Sequence, residues 1–148
     1  MKRKLDSVPP GERGTNAVEI YIDGAARGNP GEAGIGVFIK ETKDKTREIK
    51  KYLGTKTNNQ AEYAALIEAL ESVKELLNRP IRVYTDSLLV ANQVNGVWKV
   101  KHAAISILNK QVKTLLKDFQ DITIRHIPRE LNTEADRLAN LAIDEYFN

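Results

Sequence analysis

The chain predicts an α/β domain: a five-stranded mixed sheet, three antiparallel strands continued by two parallel ones, flanked by helices. Three observations carry that expectation. Three strand-like runs follow one another with only turn residues between them, at about 18–23, 33–40 and 46–53. Helical patterns then alternate with two further strands, which is how parallel crossovers read in a sequence. A chain of 148 residues also suits one domain with an ordinary core.

Each element has its own signal. Residues 1–17, MKRKLDSVPPGERGTNA, mix charge, proline and glycine with little to bury, and predict a flexible tail ahead of a domain at 18–148. In the first strand Ile20 and Ile22 alternate with Glu19 and Tyr21. The strand is expected to stop on Asp23, because Gly24, Gly28, Asn29, Pro30 and Gly31 follow, all turn formers. A helix is predicted over 59–77, with Leu66, Leu70, Val73 and Leu77 as its buried stripe and Glu68, Glu71 and Glu75 opposite. The strand at 81–85 repeats the first one: a tyrosine two residues before an aspartate, Tyr84 before Asp86. A short helical stretch at 87–95 precedes a helix at 103–119, whose apolar face holds Ile105, Leu108, Val112, Leu115 and Phe119. Its Lys110, Lys113 and Lys117 form a solvated face. A strand at 121–127 and a closing helix at 133–147, striped by Ala135, Leu138, Ala139, Ala142 and Tyr146, complete the order.

Composition excludes several chemistries. The chain has no cysteine, so disulfides, zinc ribbons, iron–sulfur clusters and thiol catalysis are out, and its two histidines, His102 and His126, cannot build a zinc site alone. Any metal must rest on oxygen. A net charge of +3 tilts weakly toward a polyanionic partner. With no apolar run of bilayer length and no signal-like start, a cytoplasmic protein is the expectation, without membrane contact.

Four acids stand where a core would not choose them. Asp23 and Asp86 close two strands expected to be parallel, the edge where open sheets collect ligands. Glu62 precedes Leu66 by one helical turn and so faces the protein, with capping of Asn58 or Asn59 as its bland alternative. Asp136 borders the last helix's apolar stripe, where Thr133-x-x-Asp136 also fits a capping box. Together they form a set that would repel itself without cations. Mg²⁺ takes oxygen ligands, and two ions about 3.5 to 4 Å apart can clamp both oxygens of a phosphoryl displacement.

Those residues, in the motifs YIDGAARGNPGEAG, TNNQAEY, YTDS and RHIPRELNTEADRLAN, make the chain resemble type 1 ribonuclease H over about 18–146. The resemblance implies the ribonuclease H-like fold, with Asp23, Glu62, Asp86 and Asp136 as a metal-binding catalytic tetrad holding two Mg²⁺ ions, Mn²⁺ being a substitute. It implies that His126, ten residues before Asp136, is a mobile catalytic histidine with Asn132 as a polar helper beside it. Gly24, Asn29, Asn58, Asn59 and Gln60 fall on substrate-contacting positions, and Thr57 on one that holds a phosphate of the DNA strand. The implied activity is endonucleolytic hydrolysis of RNA in an RNA/DNA hybrid by a monomer, leaving 5′-phosphate and 3′-hydroxyl ends. Double-stranded RNA is a second candidate substrate.

The sequence also departs from the family. A lysine- and tryptophan-rich protrusion found in some members is reduced to VNGVWKVKHAAI, leaving Trp98, Lys99 and Lys101 as a smaller DNA-contacting surface or as ordinary surface residues. Leu88 stands where relatives carry a polar side chain, and Gln60 where many have arginine. His102 has no assigned role. Two other functions compete: a hybrid-binding module without catalysis, which four uncompensated acids disfavour, and an ATPase or sugar-kinase-like domain in which DGAARGNPG cradles phosphates.

Overall fold

A computed structural model describes residues 17–148. The tail expected over 1–17 therefore lies, except for Ala17, outside the described residues. Five strands form one sheet in the order β3-β2-β1-β4-β5. They are β1 Val18–Gly28, β2 Gly31–Lys40, β3 Thr46–Lys56, β4 Ile81–Thr85 and β5 Ile122–His126. The first three pair antiparallel, while β4 pairs parallel with both β1 and β5. The helices are α1 Asn58–Ser72, α2 Leu88–Val94, α3 Ala103–Leu116 and α4 Thr133–Tyr146. The expected mixed α/β architecture is the observed one.

One strand face carries Ile20, Ile22, Ile35, Val37 and Ile39 into a core with Leu66 and Leu70 of α1 and Ile105 and Val112 of α3. The opposite face receives α4, and β2 admits it with glycine. A Cβ on Gly36 would lie 2.2 Å from the Ala135 carbonyl oxygen, so any side chain there would push the helix away. Ala135, Leu138, Ala139 and Ala142 are buried at this contact, as the stripe predicts. Tyr146 is not: it is exposed, with its ring stacked on Tyr52 at 3.8 Å.

Several boundaries differ from the sequence reading, and each difference has a cause. β1 does not stop at Asp23 but continues to Gly28, paired residue by residue with β2 from Glu19↔Lys40 to Gly28↔Gly31. The local turn propensity of GAARG yields to ladder pairing, and the turn is confined to Asn29 and Pro30. DGAARG is thus strand, not a phosphate-cradling loop. α1 ends at Ser72, and Lys74–Leu76 tighten into a 3₁₀ turn, short of the expected residue 77. α3 ends at Leu116 rather than at 119.

Candidate active site

The level at which β4 ends decides where the acids meet. The last parallel pair is Ile22↔Thr85, so Asp23 and Asp86 lie side by side just past it, and β1 from Asp23 onward has no parallel partner on that side. Glu62 arrives from α1. That helix is started by Thr57, whose hydroxyl accepts from the Gln60 amide at 3.1 Å while the Gln60 side-chain oxygen accepts from the Thr57 amide at 2.9 Å. With the cap filled by this reciprocal pair, Glu62 does not serve it. Instead α1 crosses β1 at Gly24, so closely that a Cβ there would lie 2.2 Å from the Ala61 carbonyl carbon. This approach lets the Gly24 amide donate to Glu62 Oε1 at 2.9 Å.

One carboxylate oxygen from each of Asp23, Glu62 and Asp86 lies within 4.8 Å of the others. Burial pushes the Asp23 carboxyl up to about 9, helped by the charges of Glu62, Asp86 and Asp136 and by a hydrogen bond with Asp136. Burial likewise lifts Glu62 to about 8, opposed by the Gly24 amide and the Arg129 charge and reinforced by Asp86. The donor set is all oxygen and its ionisation is opposed by burial and mutual repulsion, which a hard divalent cation would relieve. Asp136 stands outside the tight trio but lines the same cavity of about 520 Å³. Its capping alternative also falls: Asn132 is the N-cap residue of α4, with no side-chain cap bond, and Thr133 is already helical.

This arrangement has relatives of known name. The reverse transcriptase-like family model matches residues 21–142. Ribonuclease HI of Halobacterium salinarum is 40% identical over 129 residues, covering 86% of this chain and 65% of that protein. Ribonuclease H of Clostridium botulinum is 36% identical over 146 residues, covering 87% of this chain and 97% of that protein. The chain belongs to the type 1 ribonuclease H family. Among solved structures, LC11-RNase H1 in complex with an RNA/DNA hybrid superposes with a TM-score of 0.83 at 41% identity, over 88% of this chain and 99% of that one. The chain spans only 35% of a bifunctional Mycobacterium tuberculosis relative that is 43% identical over 129 residues.

The remaining family positions gather around the trio unevenly. Gly24, Asn58 and Asn59 line the acid cavity. Asn29, Thr57, Asn59 and Gln60 line a second groove of about 320 Å³, which His102 also borders. There the Asn29 side chain accepts from the Asn58 amide at 3.1 Å, joining the β1–β2 turn to the start of α1. Trp98, Lys99 and Lys101 sit in a third groove with Leu89, Gln93 and Val97. Lys110, Lys113 and Lys117 are exposed, as a solvated face should be.

Asn132 is the N-cap residue of α4. It is fully buried, and its side-chain amide donates to the Ile22 carbonyl at 2.9 Å and to Asp86 Oδ2 at 3.3 Å. These bonds tie it to β1 and to Asp86. His126 ends β5, exposed, in register with Thr85 and outside the lining of the acid cavity. The sequence reading passed over Arg27, Arg129 and Asn140, which do line that cavity. For Arg129, the family motif position three residues after His126 was the available signal.

Proposed function

We propose that this chain is an endoribonuclease that hydrolyses the RNA strand of RNA/DNA hybrids with two divalent ions, Mg²⁺ or Mn²⁺ in its place, leaving 5′-phosphate and 3′-hydroxyl ends. The observation that carries the reading is the carboxylate trio within 4.8 Å at the sheet edge, in a fold whose solved relative was crystallised with a hybrid. Asp23, Glu62 and Asp86 would hold the metal, and Asp136 completes the set. Divalent ions bound there supply charge neutralisation and lower the pKa of a coordinated water.

The chain's own residues do the rest. The Gly24 amide and the Asn132 amide fix the Glu62 and Asp86 carboxylates before substrate arrives. The bare backbone at Gly24 and the amides of Asn58 and Asn59 face the cavity where a minor groove and its 2′-hydroxyls would lie, the group that distinguishes RNA from DNA. Asn29, Thr57 and Gln60 are assigned to the substrate backbone along the second groove, and Trp98 to the DNA strand. His126, outside the lining of the cavity, is assigned to proton exchange with solvent and product.

The decisive experiment incubates labelled RNA/DNA hybrid, double-stranded RNA, single-stranded RNA and double-stranded DNA with Mg²⁺, with Mn²⁺ and with excess chelator. Hybrid cleavage that vanishes in chelator is the expected result, and cleavage that persists in chelator refutes the metal mechanism. The same reading treats the protein as a cytoplasmic monomer whose catalytic domain spans 18–148. No helix among the described residues is long and apolar enough to cross a membrane. Removal of residues 1–16 should leave melting and cleavage intact, and loss of the cooperative transition would refute that boundary.

A further inference from the structure

Asp136 is the one acid of the four that the tight trio leaves out, and the side chain of its own helix that bonds its carboxylate is itself held from across the fold. Asn140, one turn further along α4, donates its side-chain amide to the Asp136 carbonyl at 3.0 Å and to Asp136 Oδ1 at 3.3 Å. The oxygen of the same amide accepts from the Arg27 guanidinium at 3.3 Å, as does the Asn140 main-chain carbonyl at 3.3 Å. Arg27 lies near the end of β1, and its other terminal nitrogen pairs with Asp144 at 2.7 Å. Asp144 therefore holds Arg27, Arg27 holds Asn140, and Asn140 holds Asp136.

The order of donors makes this directional. A guanidinium only donates and a carboxylate only accepts, so both partners hold the Asn140 amide the same way round, its oxygen to Arg27 and its NH₂ to Asp136, and Arg27 fixes from across the fold where that NH₂ sits. Stability does not explain the arrangement. The Arg27–Asp144 pair is about half exposed on both sides, and such pairs contribute little. Arg27 and Asn140 both line the acid cavity, so the effect of the relay is felt there. We propose that Arg27 and Asn140 are positioning residues that orient the Asp136 carboxylate toward the divalent cation of the acid cluster. The inference rests on the metal-binding role proposed above for the four acids.

The sign of one effect separates this from the alternatives. Arg27 is a cation at the rim of a cation site, so by charge alone Arg27→Ala should tighten Mg²⁺ binding. A relay makes the opposite demand: losing Arg27 or Asn140 weakens Mg²⁺ binding, by about 10-fold on the scale of residues that orient metal ligands. Mg²⁺ titration calorimetry on the wild type, Arg27→Ala, Asn140→Ala and the double variant reads this directly, with melting curves to confirm folding. The double variant should be no weaker than Asn140→Ala, because both act through one amide, and Arg27→Lys, which keeps a donor, should recover part of the loss.

Unchanged or tighter Mg²⁺ binding in Arg27→Ala or Asn140→Ala overturns the relay, as do losses that multiply in the double variant. A raised KM for hybrid with unaltered Mg²⁺ binding in Arg27→Ala would make Arg27 a nucleic-acid contact instead and also overturns it. If the wild type itself takes up no Mg²⁺ and cleaves no hybrid, the proposed function fails. A wild type that binds and cleaves beside an indifferent Asn140→Ala means that the relay alone fails.

Discussion

Arg82 and Asp86 lie four residues apart along and just beyond β4, and the fold treats their charges in opposite ways. Arg82 is 1% exposed, and its guanidinium donates to the two Asp121 carboxylate oxygens at 3.0 and 3.1 Å and to the Ile81 carbonyl at 3.0 Å, leaving only Nε without a partner. At the strand's other end Asp86 meets Asp23 and Glu62, three acids in one place, with Asp23 only 6% exposed. The first place answers buried charge with a counter-charge from the chain itself. The second answers it with amides from Gly24 and Asn132, which orient carboxylates without neutralising them. Buried charge paired internally serves the fold. Buried charge of one sign left uncompensated is a demand on something from outside.

The contrast breaks most sharply at Asp23. Asp23→Asn removes the most crowded charge, so it should reduce hybrid cleavage by more than about 100-fold, beyond what loss of an outer metal-orienting group costs, while raising the melting temperature of the metal-free protein. Glu62→Gln should behave likewise. Near-normal cleavage by Glu62→Gln at several Mg²⁺ concentrations would return Glu62 to a structural role.

Arg82→Met should do the reverse. It takes the guanidinium away from Asp121, and removing one partner of a buried pair costs about 3 to 5 kcal/mol, with the lower end apt because the Asp121 side chain is 34% exposed. For a domain of this size a loss of about 3 kcal/mol lowers Tm by about 6 to 12 °C. Mg²⁺ affinity should not change. A metal-binding defect in this variant would erase the distinction between the two places.

A pH series sharpens the comparison further. Asp23 titrates at about 9 and Glu62 at about 8 in the folded chain, against about 4 for an unfolded carboxylate. Between those values the native state binds protons that the unfolded state does not. The stability they provide is present below about pH 4 and is lost as pH rises through about 8 to 9. Denaturant melts in chelator should show stability declining over that window, and Mg²⁺ should flatten the decline. A flat profile in chelator would mean that the cluster carries no strain.

What the sequence disclosed follows the same division. Asp23, Asp86 and Glu62 were legible because an acid breaking an apolar pattern is a local anomaly, visible within one strand or one helical turn. The end of β1 was not, since GAARGNPG has turn composition and only pairing with β2 carries the strand to Gly28. The cap of α1, the reciprocal Thr57–Gln60 pair, is a local pattern too, hidden only by the expected start of the helix at residue 59. Asn132 and Arg27 were out of reach for a different reason. The bonds that define them, to Ile22 and to Asn140, span 110 and 113 residues of chain, and no periodicity encodes such a pair.

His126 belongs to neither place and gives the smallest effect. It is exposed at the end of β5, one strand away from Asp86, where its register partner Thr85 precedes the acid. An exposed imidazole carries no burial strain to relieve, so His126→Ala should leave Tm and Mg²⁺ affinity unchanged. The loop that follows it, from Ile127 into the short 3₁₀ turn at Arg129–Leu131, leads to the helix bearing Asp136. Under the proposed function His126 passes a proton to solvent or product and holds no metal. Loss of one such group costs about 10 to 100-fold in kcat with KM little altered, the low end of general acid–base contributions. Steady-state kinetics on a single hybrid measure this. An unchanged kcat removes His126 from the mechanism. Complete inactivity of a folded variant would place it among the groups that the acid cluster cannot work without.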